Sequence, residues 1–101
     1  MLTWRFHDEA TAEFDEAVDY YLSEASRKIS FNFVTAFHSK LDRLCCMPRS
    51  APSWPSHPDI RHLFMQSFPY SIVYALEHGE IMILAVAHSS REPGYWLGRL
   101  R

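Results

Sequence analysis

The chain has 101 residues, 48% of them hydrophobic and 22% charged, with a net charge of −2. That length and apolar content suit one domain able to bury roughly two thirds of its unfolded surface, and the charge excludes a strongly basic nucleic-acid binder. The two cysteines, Cys45 and Cys46, are neighbours; a bridge between them would be strained and would close no useful loop, so a reducing, cytoplasmic setting is expected.

The charge is unevenly placed. Residues 1–24 carry seven acids against Arg5, a balance of −6, whereas residues 25–101 stand at +4. An acidic helix on a mildly basic body is the expected surface.

Leu2, Trp4 and Phe6 alternate with Thr3, Arg5 and His7, the period of a half-buried strand. Asp8 is placed to cap a helix in which Ala10, Phe14, Ala17, Tyr21 and Ala25 recur every three or four residues, with Val18 and Leu22 widening the stripe. Early acids suit the positive end of its dipole. A second helix is predicted from Ser30, with Phe33, Val34, Phe37, Leu41 and Leu44 on one face, ending before Pro48. A short connection around Ala25–Ile29 makes the pair an antiparallel hairpin. Phe14, Tyr21, Phe33 and Phe37 read as core.

Residues 47–58 hold four of the six prolines and read as a connector, neither helix nor inner strand. Three strands follow, Ile60–Gln66, Tyr70–Leu76 and Ile81–Ala87, the last two joined by a two-residue turn at His78-Gly79. The unbroken apolar run of the last strand suggests an inner position covered by the helices. The fold class is α+β, in the order β-α-α-β-β-β. No repeat, low-complexity tract or second domain is visible across residues 1–101, and no run approaches a signal h-region or a membrane span.

Chemistry concentrates in the last third, where His88, Arg91 and Tyr95 follow the last strand. An imidazole, a permanent cation and a phenol at one sheet edge suit contact with phosphate or another anion. The strand end is expected to carry His88 and Arg91 to one solvent-facing rim, opposite the helix pair. Each residue also has a plainer reading. His88 could bond a backbone carbonyl, Arg61 could pair with an acid of the first helix, and Tyr95-Trp96 could pack the tail onto the sheet. No pair of histidines has the i, i+4 spacing of a ligand set, three glycines form no phosphate loop, and no nucleophile motif appears, so neither metal nor cofactor is expected.

The run Phe68-Pro69-Tyr70-Ser71-Ile72-Val73-Tyr74, then Ile81 to His88, then Arg91, Pro93, Tyr95, Trp96 and Arg99 resembles the closing signature of the RelE/ParE toxins of bacterial type II toxin–antitoxin pairs, the plasmid stabilisation proteins. Element order, proline-rich loop and Arg61 are also similar to that family, so the likeness spans nearly the whole chain. It implies a toxin silenced by a cognate antitoxin whose flexible segment lies across the helix hairpin and sheet edge, with Trp54 as one apolar contact unless it packs on the core.

Two activities divide the family. A ParE-like toxin poisons DNA gyrase by protein binding and needs no catalytic residue. A RelE-like toxin is a metal-independent endoribonuclease acting on messenger RNA at the translating ribosome. There His88 and Tyr95 would share proton transfers while Arg61 and Arg91 hold the phosphate. The chain lacks the extra basic groups of several such ribonucleases near the second strand, offering Arg49 and Arg61 among prolines and serines. Its acidic total also argues against docking on ribosomal RNA, so the ParE-like reading is favoured. A decayed or antitoxin-like partner without target activity is the third reading.

Overall fold

The computed structural model describes residues 1–100. Its elements are β1 (Thr3–Phe6), α1 (Asp8–Glu24), α2 (Arg27–Cys46), β2 (Ser53–Trp54), β3 (His57–Phe64), β4 (Tyr70–Glu77), β5 (Glu80–His88) and a final 3-10 turn, Tyr95–Arg99. The strands form one sheet in the order β1-β5-β4-β3-β2. All pairings are antiparallel except β1 with β5. The expected α+β order stands, and the last strand is indeed an inner one.

Both helix starts differ from expectation. His7, not Asp8, caps α1, its Nδ1 accepting the Glu9 N–H at 3.1 Å. In α2 the cap is Ser26, whose Oγ accepts from Ile29 N–H, so the helix begins three residues before Ser30. Ser30 lies inside α2 and is buried because its hydroxyl donates to the Val18 carbonyl of α1 at 3.0 Å, a polar rivet between the two helices. Leu22 misses the core and stays 51% exposed.

The connector contains the two-residue strand β2 at the sheet edge, which the sequence did not suggest. Strand β3 starts at His57, earlier than Ile60, because β2 meets β3 only at Ser53↔Arg61 and Trp54↔His57, leaving Pro58 no ladder bond to donate there. The β4–β5 turn has positive φ at both His78 (53°) and Gly79 (74°), the geometry that a two-residue hairpin needs.

The core forms on both sheet faces. On the helix side Phe33, Phe37, Leu41 and Leu44 of α2 meet Ile72, Tyr74, Ile81, Ile83 and Val86, with Phe14 and Tyr21 of α1 packed against them. On the other side the tail folds Trp96, 1% exposed, onto Ile60, Val73, Ala75, Leu84 and Ala85.

Strand β5 carries one extra residue opposite β4. Tyr74 pairs with Ile83 and Val73 with Ala85, so Leu84 is the bulged position. Leu84 and Ala85 therefore lie together on the tail side, and the alternation restarts with Val86 on the helix side. His88, two residues further on, is carried to that same side beside its partner Tyr70.

Candidate functional site

Strand β1 accompanies β5 only as far as Ile83, after which His7 N–H bonds the Ile83 carbonyl and the chain turns into α1. Beyond that point the outer edge of β5 would be bare. Glu13 of α1 and Arg99 of the tail fill the gap from opposite sides. Glu13 Oε1 accepts Val86 N–H at 2.9 Å, and Arg99 Nη1 donates to the Leu84 carbonyl at 2.9 Å. The two side chains meet in a bidentate pair at 3.0 and 2.8 Å, and the Tyr95 hydroxyl donates to Glu13 Oε2 at 2.6 Å.

Both partners are nearly sealed, Glu13 at 11% and Arg99 at 9% side-chain exposure. Burial pushes the Glu13 carboxyl up, but hydrogen bonds from Arg99, Tyr95 and Val86 N–H outweigh it and hold the group below its ordinary value. Burial, and then the Glu13 carboxylate, push the Tyr95 phenol well above its ordinary range. The phenol is therefore a firmly held donor near neutral pH.

Beside this clasp lies a groove of about 570 Å³ between α1 and the end of the β4–β5 pair. Tyr20, Tyr21 and Tyr70 supply aromatic surface, Glu13 and Glu16 carboxylates, and His88 and Arg91 one rim. His88 and Arg91 also line a smaller cleft on the tail side, so both stand where the two faces meet. They do share a rim, but the larger hollow there is bounded by α1 and does not lie opposite the helices. The bulge at Leu84 is the cause, since it switches the face on which β5 ends.

His88 Nδ1 accepts the Ser90 backbone N–H at 3.0 Å and lies 2.8 Å from Ser90 Oγ. In the neutral ring the proton then sits on Nε2, so His88 presents a donor outward. Its ring stands edge-on to Tyr70, with centroids 5.0 Å apart. Arg91 lies 3.7 Å over the Tyr95 ring and 3.8 Å from Glu13, with its side chain half exposed. His88, Arg91 and Tyr95 are thus neighbours at one corner.

Arg61 is elsewhere. It pairs with Tyr74 on β4, whereas His88 pairs with Tyr70, an offset of about 13 Å along the strands. Its guanidinium donates to the carbonyls of Arg49 and Ala51 at 3.1 and 2.5 Å, fastening the proline-rich loop, and takes no acid from α1. Trp54 packs at 5.0 Å from both His62 and Trp96, which favours its core-packing role. Cys45 is buried, Cys46 is exposed, and both are free. Among the described residues no group of three or more His, Cys, Asp or Glu is placed to hold a metal, and no helix is long and apolar enough to cross a membrane.

Glu13 was hidden in the sequence among the other acids of α1. Its signal was position: it lies three residues after Ala10 and four before Ala17, the two buried residues of the helix. An acid on the apolar stripe needs a partner, whereas one on the outer face does not.

Comparison with known proteins bears on what this arrangement serves. Residues 4–93 match the family described as the ParE toxin of the type II toxin–antitoxin system parDE. A chain of the chromosomal ParDE system from P. aeruginosa is similar in structure, with TM-score 0.73 and 20% identity over 87% of this chain and 96% of that one. The isolated E. coli RelE toxin superposes with TM-score 0.65 and 17% identity, covering 98% of this chain and 96% of that one. At such identities the likeness is one of fold. Curated protein sequences give no match.

Proposed function

This chain belongs to the ParE toxin family of type II toxin–antitoxin systems, and we propose that it is a toxin that acts by binding DNA gyrase, so that cleaved DNA persists, and that a cognate antitoxin silences it. The observation that supports this most is the clasp. The buried polar cluster of Glu13 with Tyr95 and Arg99 is spent on closing a sheet edge.

A metal-independent ribonuclease needs a base, an acid and a cationic cradle converging on one phosphate. Here Tyr95 is committed to Glu13, and the Nδ1 of His88 accepts the Ser90 N–H. Arg61 is about 13 Å along the sheet from the His88 position. Among the described residues, two carboxylates line the groove beside the one guanidinium of Arg91. This pattern suits recognition of a protein better than cleavage of a polyanion. The antitoxin's flexible segment is assigned to the groove between α1 and the sheet end, where the aromatic walls give it apolar surface to order against.

The ribonuclease reading keeps one favourable observation, the shared corner of His88, Arg91 and Tyr95. The deciding experiment releases the toxin from its co-expressed complex and assays gyrase-dependent DNA cleavage beside ribosome-dependent messenger cleavage. Gyrase-dependent breaks are expected, and they persist in a His88→Ala, Tyr95→Phe double variant. Messenger cleavage that this variant abolishes would instead establish the ribonuclease.

A further inference from the structure

We infer that the groove between α1 and the end of the β4–β5 pair recognises one carboxylate, carried by an aspartate or glutamate on an otherwise apolar segment of the antitoxin, through Arg91 and the Nε2–H of His88. The inference rests on the antitoxin partnership proposed above and adds the chemistry of the contact.

Three observations carry it. The tautomer of His88 is fixed by the Ser90 backbone N–H on Nδ1, so the ring's remaining nitrogen is a donor, and it has no partner among the described residues. Arg91 stands on the same rim with its side chain 52% exposed. Among the described residues its only ion pair is a 3.8 Å approach to Glu13, a carboxylate already held bidentately by Arg99. Stacking on Tyr95 at 3.7 Å holds the guanidinium in place, so little freedom is lost when an anion arrives. Two donors on one rim, one of them cationic, suit the two oxygens of a carboxylate.

The charge balance selects a peptide over a nucleic acid. Arg91 is the one Lys or Arg among the described residues of the groove, against Glu13 and Glu16. A nucleic-acid strand brings one negative charge per nucleotide past those two acids. A segment with a single carboxylate and apolar neighbours brings one, together with side chains that cover Tyr20 and Tyr70.

The test uses the intact toxin–antitoxin complex in a double-mutant cycle. Each Asp and Glu in the toxin-binding segment of the antitoxin is changed to its amide, and affinity is measured against the native chain and against Arg91→Gln. One acid is expected to lose at least tenfold in affinity for the native chain when amidated, and less than twofold for Arg91→Gln. His88→Phe, which keeps an aromatic ring against Tyr70, should weaken the same contact and no other. If no acid couples to Arg91, the carboxylate contact is overturned while the partnership stands. If the co-expressed small protein does not bind at all, the partnership and this inference fall together. A ten-nucleotide RNA that displaces the antitoxin from the native chain, but not from Arg91→Gln, would assign the rim to phosphate and overturn the inference.

Discussion

Glu13 shows how one side chain can replace a missing strand. Where β1 ends, the Val86 N–H would face solvent or remain unpaired, and the carboxylate accepts it while neutralising Arg99. Glu13→Gln leaves the nearly buried Arg99 guanidinium with the more distant and exposed Glu9, 3.6 Å away, as its counter-charge, so a loss of about 3 kcal/mol is expected in urea denaturation. Tyr95→Phe removes one bond to an ionised acceptor but keeps the ring under Arg91, so about 1.5 kcal/mol is expected. The carboxyl of Glu13 titrates lower in the folded chain than its ordinary 4.5. Its contribution is therefore fully present above the unfolded value and is lost as pH falls through the folded one. Thermal melts of the native chain should drop below about pH 4.5, and Glu13→Gln should flatten that limb.

At the scale of elements, helix starts followed capping chemistry more than hydrophobic period. Asp8 has the right side chain for a cap, but His7 holds the extended backbone and accepts the Glu9 N–H, leaving Asp8 exposed in the first turn. Asp8→Ala should therefore cost only a few tenths of a kcal/mol through the helix dipole, whereas Ser26→Ala should cost about 1 kcal/mol by removing a real cap. Comparing the two denaturation midpoints checks both. The helices, the His78-Gly79 hairpin and strands β4 and β5 were legible because their periods and turn residues are local signals. Strand β2 was not, since two residues carry no period. The bulge at Leu84 was not either, because the run from Ile81 to Ala87 is apolar throughout and does not reveal which residues share a face.

For the whole molecule, the sheet is a middle layer between the helix pair and the tail, and the clasp joins the outer two around its open edge. Trp96 is the tail's anchor at 1% exposure, against Ile60, Val73 and Ala85. Trp96→Ala is expected to cost about 4 kcal/mol. It should also loosen Tyr95 and Arg91, since both reach the rim from the same short segment. Antitoxin affinity measured beside stability would separate the two effects: at a lower temperature that restores folding, affinity should still fall below that of the native chain because the rim is loosened.

The last third of the sequence carried both the family likeness and the corner at which His88, Arg91 and Tyr95 meet, because those residues are close along the chain and a strand end can only deliver them together. Arg61 was grouped with them through the family likeness, and its register on β3 takes it to the proline-rich loop. By itself the sequence determined the two helices, the closing hairpin and the tail signature, all written in patterns a few residues long. Only the tertiary structure decided which face His88 occupies, that Glu13 and Arg99 close the edge of β5, and that Tyr95 serves their pair. Those outcomes depend on a single bulged residue and on contacts more than 80 positions apart in the chain, for which no local pattern exists.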